Sequence, residues 1–300
     1  MIDGHYDARG EPFHGLTWSA QCPYPVGGED VEHKMLCEIQ HNMRVKTYPD
    51  GSQIVTVADR PIFREPGWEL SDKWDSEARG PRSEARDGAD EDRERARRRA
   101  RAAVADLGRA NDFRYFVTLT LDASKADRYD AAITGRELRR WLSHQVQRRG
   151  LVYVLVPEHH KDGAIHFHGL INDALEMQDS GTVKRAGGGK PQRPRSARER
   201  ARWLAEGGQE VYNIPAWSLG FSTALRLSGD YRKAVGYVCK YIGKDSEKIG
   251  GRWYFSGGAL KRPEASYSDA DYEAMRAECA GQEYRIERLG VRCINIDMEG

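Results

Sequence analysis

"LVYVLVPEHHKDGAIHFHGLIN" occupies Leu151–Asn172. Two apolar runs, LVYVLVP (Leu151–Pro157) and AIHFHGLIN (Ala164–Asn172), flank a short polar HHKDG. Both runs have strand length and strand composition, and a link this tight returns the chain beside itself. The pair is therefore expected to be antiparallel. The stretch also holds four of the nine histidines: His159, His160, His166 and His168. Side chains alternate along a strand, so His166 and His168 share one face and Phe167 takes the other.

Working outward, RYFVTLTLD (Arg114–Asp122) has the β-branched and aromatic content of a central strand. ITGRELRRWLSHQVQRRG (Ile133–Gly150) follows, where Thr134 and Glu137 have capping-box spacing and predict a helix start near Thr134. Leu138, Trp141, Leu142 and Val146 form its apolar stripe, Gly150 stops it, and its other face carries Arg136, Arg139, Arg140, Arg148 and Arg149. Further on, a strand is expected at Phe221–Leu227 and a helix at Asp230–Asp245. Strand, helix, strand, turn, strand describes an α+β fold with a central antiparallel sheet, not a doubly wound one.

Other segments read differently. MRVKTYPDGSQIVTV (Met43–Val57) predicts a hairpin around Pro49-Asp50-Gly51. Residues 71–101 end in EDRERARRRAR, six arginines against three acids, and read as a solvated helix or linker, with a DNA-contacting arm as the alternative. Residues 174–208 are rich in Gly, Pro and Arg. Lys184, Arg185, Lys190, Arg193, Arg195, Arg198, Arg200 and Arg202 face only Glu199 there, so a loop or partly disordered insertion is expected. A DNA-tracking loop and a floppy insertion both fit that composition. The expected organisation is an N-terminal extension at 1–110, a central domain at 111–260 and a C-terminal extension at 261–300.

The 300 residues carry 47 Lys and Arg against 46 Asp and Glu, a net charge of +1. Net charge thus points to no polyanion, and a case for nucleic acid rests on charge distribution. The five cysteines are odd in number and show no C-x-x-C, which argues against a disulfide framework and for a reducing compartment. No apolar stretch approaches the roughly 20 residues that span a bilayer, and the polar N-terminus does not read as a signal peptide. A cytoplasmic protein with no membrane partner is expected.

Two groups of residues can carry chemistry. His166 and His168 lie about 7 Å apart on one strand face, and Glu158 ends the antiparallel neighbour. Two imidazoles and a carboxylate suit a divalent ion with open coordination positions; a solvated histidine pair is the alternative. His159 and His160 fall in the turn, exposed and outside that ligand set. In GYVCKYIGKD, Tyr237 and Tyr241 are four apart, as are Lys240 and Lys244, so both pairs share a helix face. A phenol is a poor nucleophile at neutral pH, but a nearby ammonium or a metal-polarised phosphate lowers the barrier to its attack. The alternative is an amphipathic helix whose tyrosines pack with Val238 and Ile242.

Taken in order, FVTLTL (Phe116–Leu121), Glu158, His166-Phe167-His168 and Tyr237-x-x-Lys240-Tyr241-x-x-Lys244 resemble the HUH endonuclease superfamily, most of all rolling-circle replication initiators of phages and plasmids. GRWYFSGG (Gly251–Gly258) is similar to an Arg-aromatic stretch that follows the tyrosine helix there. The resemblance covers about Phe113–Gly258. It implies an RRM-like sheet with helices on one face and nicking of single-stranded origin DNA. His166, His168 and Glu158 would hold Mg²⁺ or Mn²⁺. Tyr237 or Tyr241 would form a 5′-phosphotyrosine and free a 3′-OH, with Lys240 and Lys244 beside them. Arg139, Arg140, Lys184, Arg185, Lys190, Arg193 and Arg195 are the expected DNA contacts. The freed 3′-OH implies a host polymerase, and because no G-x-x-x-x-G-K-[ST] occurs, a host helicase is an implied partner as well. An HUH transposase or relaxase, a non-catalytic nucleic-acid-binding module, and a metal phosphoesterase are the rival readings.

Overall fold

The computed structural model describes residues 40–64, 88–227, 231–244, 248–286 and 289–298. In chain order these form β1 (Gln40–His41), β2 (Met43–Thr47), β3 (Gln53–Ala58), β4 (Phe63–Arg64), α1 (Gly88–Ala110), β5 (Tyr115–Leu121), α2 (Ala131–Arg149), β6 (Tyr153–His159), β7 (Ile165–Ile171), β8 (Gln178–Lys184), α3 (Ala197–Ala205), β9 (Gln209–Asn213), β10 (Gly220–Arg226), α4 (Tyr231–Tyr241), β11 (Phe255–Gly257), β12 (Glu264–Ser268), α5 (Tyr272–Glu278), β13 (Gln282–Ile286) and β14 (Val291–Met298). The fold is α+β, built on a seven-stranded antiparallel sheet of order β11-β6-β7-β5-β10-β9-β8. No helix among the described residues is long and apolar enough to cross a membrane.

The expected β6–β7 hairpin forms, with Gly163 in the left-handed region of the turn at φ 84°. β5 pairs on the other side of β7, which makes β7 central. Alternation then sorts the side chains. Val117, Leu119, Leu121, Leu155, Ile165 and Phe167 face one layer, where they pack with Leu138, Trp141 and Leu142 of α2. Trp141 meets Trp217 edge-on at 4.9 Å and its indole N–H donates to Ala216 O. Phe116, Val154, Val156 and Leu170 face the opposite layer, beneath α1 and α4. The helices are thus shared between the two faces. Each fully buried aliphatic side chain in these layers, such as Leu119, Leu138, Leu155 or Leu170, contributes roughly 1.5–3 kcal/mol. Gly169 in β7 has no room for a side chain, because a Cβ there would collide with the Val154 carbonyl of β6.

Two expectations are corrected. α2 begins at Ala131, three residues before Thr134, because Asp130 is the N-cap and its carboxylate accepts from the amides of Ala132 and Ile133. Thr134 is instead buried, and its hydroxyl donates to Asp127 O. The C-terminal stop at Gly150 is as expected, with φ 70°. The segment 174–208 is a loop chiefly in its middle: residues 185–196 lie in no helix or strand, while β8 and α3 occupy the flanks. β8 and β9 extend the sheet and α3 packs Trp203 against them, while Arg200 is held by Asp179 and Glu210. Arg200 is thus ion-paired and Arg185 stacks over the Trp203 ring at 5.2 Å, whereas Arg193, Arg195, Arg198 and Arg202 are exposed.

The β2–β3 hairpin forms around Gly51 at φ 84° and enters a second antiparallel sheet of order β12-β2-β3-β14-β13. Its Val55, Val57, Ile294 and Ile296 pack beneath Tyr272 of α5. Of the charged run at 71–101, the part from 88 onward lies in α1, and the rest falls outside the described residues.

Candidate active site

Cross-strand register assembles the site. Glu158, His166 and Thr120 are direct partners in one row, and Val156, His168 and Thr118 in the next. Directly opposed residues share a face. Thr118 Oγ1 lies 3.0 Å from His168 Nδ1, and Thr120 Oγ1 lies 3.4 Å from His166 Nδ1. The threonines therefore hold the Nδ1 atoms and leave Nε2 for the site. His168 Nε2 is 2.8 Å from Glu158 Oε2, and Lys244 Nζ is 2.6 Å from Glu158 Oε1. A carboxylate this close would by itself favour an imidazolium. Lys244 already neutralises it, so burial decides, with His166 and Lys244 adding repulsion, and the His168 pKa is pushed down to about 3. Burial, then His160, also lowers that of His166. Both rings are neutral at pH 7, the form that ligates metal.

α4 lays its tyrosines over this row. The Tyr241 ring stacks on His168, centroids 4.2 Å apart and planes within 9°. Lys244 Nζ sits 4.3 Å from the centroid of the same ring. Tyr241 is 6% exposed and Tyr237 is 47% exposed. Tyr237 packs edge-on against Phe116 at 5.6 Å and accepts a hydrogen bond from the Tyr241 hydroxyl at 2.9 Å. Burial, that hydrogen bond and the nearby negative charge of Glu158 raise the Tyr241 pKa well above the usual phenol value. Tyr241 thus stays protonated as a donor, while the Tyr237 oxygen is the one a substrate can reach. α4 is fastened from below: the Tyr231 hydroxyl donates to the carbonyls of Gly108 and Asn111, and Gly108 lies flush against Val235.

Residues 114–246 match a family model described as replication-associated protein, of the ORF2 type. The matched segment runs from β5 through α4 and contains every residue of the row just described. It bears out the resemblance to Rep-type replication initiators at the level of a replication-associated family. No curated protein and no solved structure matches the chain.

Of the residues singled out in the sequence, the structure brings together Glu158, His166, His168, Tyr237, Tyr241 and Lys244; Lys240 is exposed on α4. Among the described residues no group of three or more His, Cys, Asp or Glu side chains is arranged to hold a metal ion. Glu158 spends one oxygen on His168 and the other on Lys244. The donor types still suit a divalent cation, which requires Glu158 to exchange these partners. Arg139 and Arg140 sit on α2, on the far side of the sheet from the histidines. Lys184 ends β8, and Arg185, Lys190, Arg193 and Arg195 follow it before α3. Arg193 donates to Ser180 O.

Sequence reasoning missed Thr118 and Thr120 as the groups that orient the imidazoles, although FVTLT alternates in register with HFH. It also placed His160 in the turn without its contact: the exposed ring stacks on His166 at 4.9 Å.

Proposed function

We propose that this chain is a replication initiator that nicks single-stranded origin DNA with Tyr237. The single observation that carries the reading is the exposed Tyr237 hydroxyl, which accepts from the buried Tyr241 beside the Glu158–His168 pair. Tyr237 gives its phenolic proton to solvent, and its oxygen bonds to phosphorus. The P–O3′ bond breaks, and the 3′ oxygen leaves and takes up a proton. The products are a 5′-phosphotyrosine and a free 3′-OH, and the reverse step rejoins the strand. Tyr241 donates to the Tyr237 oxygen as phenolate charge develops. Lys240, three residues along the same helix, neutralises phosphate charge. His166, His168 and Glu158 would hold Mg²⁺ or Mn²⁺, which when bound withdraws charge from the scissile phosphate. A polymerase would extend the 3′-OH, and a host helicase would open the duplex. The match to a replication-associated family supports this over a transposase or relaxase with the same chemistry.

The test is a denaturing gel of the protein with labelled single-stranded DNA from its own replicon and Mn²⁺. A covalent adduct is expected, absent in Tyr237→Phe and slower but present in Tyr241→Phe. An adduct retained by Tyr237→Phe would overturn the assignment of the nucleophile. Cleavage with no adduct would replace it with attack by water.

A further inference from the structure

Four aromatic side chains of the described residues are exposed: Tyr129, Phe221, Tyr237 and Tyr284. Phe221 is the most exposed at 70%. Its place is not a sheet edge, because β10 lies between β5 and β9. Register makes Phe221 the direct partner of Thr120, which is the direct partner of His166, which is the partner of Glu158. These four residues form one straight row across four strands, all on one face. Two strand spacings separate Phe221 from His166, about 10 Å. α4 covers that face over β6 and β7 and leaves it open over β10, where Thr223 is exposed too. Lys125, whose ammonium lies 2.6 Å from Ser218 O, places a positive charge near the start of β10. One exposed ring is ordinary by itself; this one stands on an open sheet face, in register with the histidine row and near the Lys125 ammonium, which makes it a platform on which a nucleobase stacks.

From this row we infer that Phe221 is a positioning residue: it stacks a base of the single strand close to the scissile phosphate and so fixes which phosphate reaches Tyr237. This rests on the DNA-nicking reading above and adds to it the point at which the strand is gripped.

The test is fluorescence anisotropy with the full chain, using a labelled oligothymidylate and an oligomer of equal length whose central residues are abasic. Phe221→Ala should weaken binding of the oligothymidylate about five- to a hundredfold, the range of base–aromatic stacking. Phe221→Tyr should bind as wild type does, and both variants should match wild type on the abasic oligomer. In single-turnover nicking of the chain's own origin strand, Phe221→Ala should raise the DNA concentration for half-maximal rate and spread the cut over neighbouring phosphates, whereas Phe221→Tyr should cut where wild type does. An unmoved cut in Phe221→Ala overturns the positioning role. Wild-type affinity in Phe221→Ala, or an equal loss on both oligomers, overturns the stacking role while the nicking reading stands. A wild-type protein that binds neither oligomer overturns both.

Discussion

Thr118 and Thr120 decide which ring nitrogen His168 and His166 offer to the site. With Nδ1 occupied by a hydroxyl, Nε2 is the atom each ring would offer to a bound metal. Partners of this kind around a bound metal are worth about 10–100-fold in affinity. Thr118→Val keeps the shape and removes the hydroxyl. Calorimetric titration with Mn²⁺ should therefore show a loss of that size with little change in Tm, and an unchanged affinity would mean that His168 is not a ligand. Tyr231 gives a pH prediction away from the metal residues. Burial is the main cause that lifts its pKa to about 12, and the protonated hydroxyl is the one that donates to Gly108 and Asn111. The folded-state value lies above the unfolded one of about 10. Its contribution is fully present below pH 10 and is lost as the pH rises towards 12. The Tm of wild type should therefore fall more steeply over that window than the Tm of Tyr231→Phe, which starts lower at neutral pH. Parallel curves would show that the phenol does not titrate there.

At the scale of elements, the proposed chemistry depends on how α4 is held against β6 and β7. Gly108 of α1 meets Val235 of α4 with no space for a methyl group. Overpacking of this kind costs about 1–3 kcal/mol, and here its relief moves the tyrosine helix. Gly108→Ala should lower the rate of adduct formation far more than it lowers Tm, and Gly108→Ala with Val235→Ala should restore the rate by reopening the space. Failure of the double variant to recover would place the defect in α1 alone. The same elements show what was legible in the sequence. The HFH strand, its partner and the tyrosine helix were readable because period-two and period-3.6 patterns are local, and the turn glycines mark their ends. The start of α2 was not, because Thr134 and Glu137 mimic a capping box while Asp130 supplies the cap. β8 and α3 were missed because arginine-rich composition reads as solvated until its ion-pair partners, Asp179 and Glu210, are in place.

For the whole molecule, local pattern has little to say. The second sheet joins β3 to β14, so Val57 pairs with Ile294 across a sequence gap that no periodicity bridges. The same holds for Phe221, whose meaning comes only from its register with Thr120 and His166. The two sheets have separate apolar cores, and polar contacts join them through α1. Lys46 and Tyr48 both bind Asp106, and Arg109 makes a two-pronged contact with Asp297 at 3.0 and 2.7 Å. A surface cleft of about 300 Å³ lined by Tyr48, Asp106, Arg109, Tyr231 and Val235 opens at this junction. Separate cores joined by a polar seam should open separately. Ile294→Asp tests this, since an unpaired carboxylate at a site 1% exposed costs on the order of 4 kcal/mol or more. Hydrogen exchange should lose protection together in β2, β3, β12, β13 and β14, whose strands depend on β14 for their core. β5, β6 and β7 should keep theirs, and the variant should still form the Tyr237 adduct. If protection collapses in β5, β6 and β7 as well, the seam through Asp106 and Arg109 carries enough free energy to make the two sheets one cooperative unit.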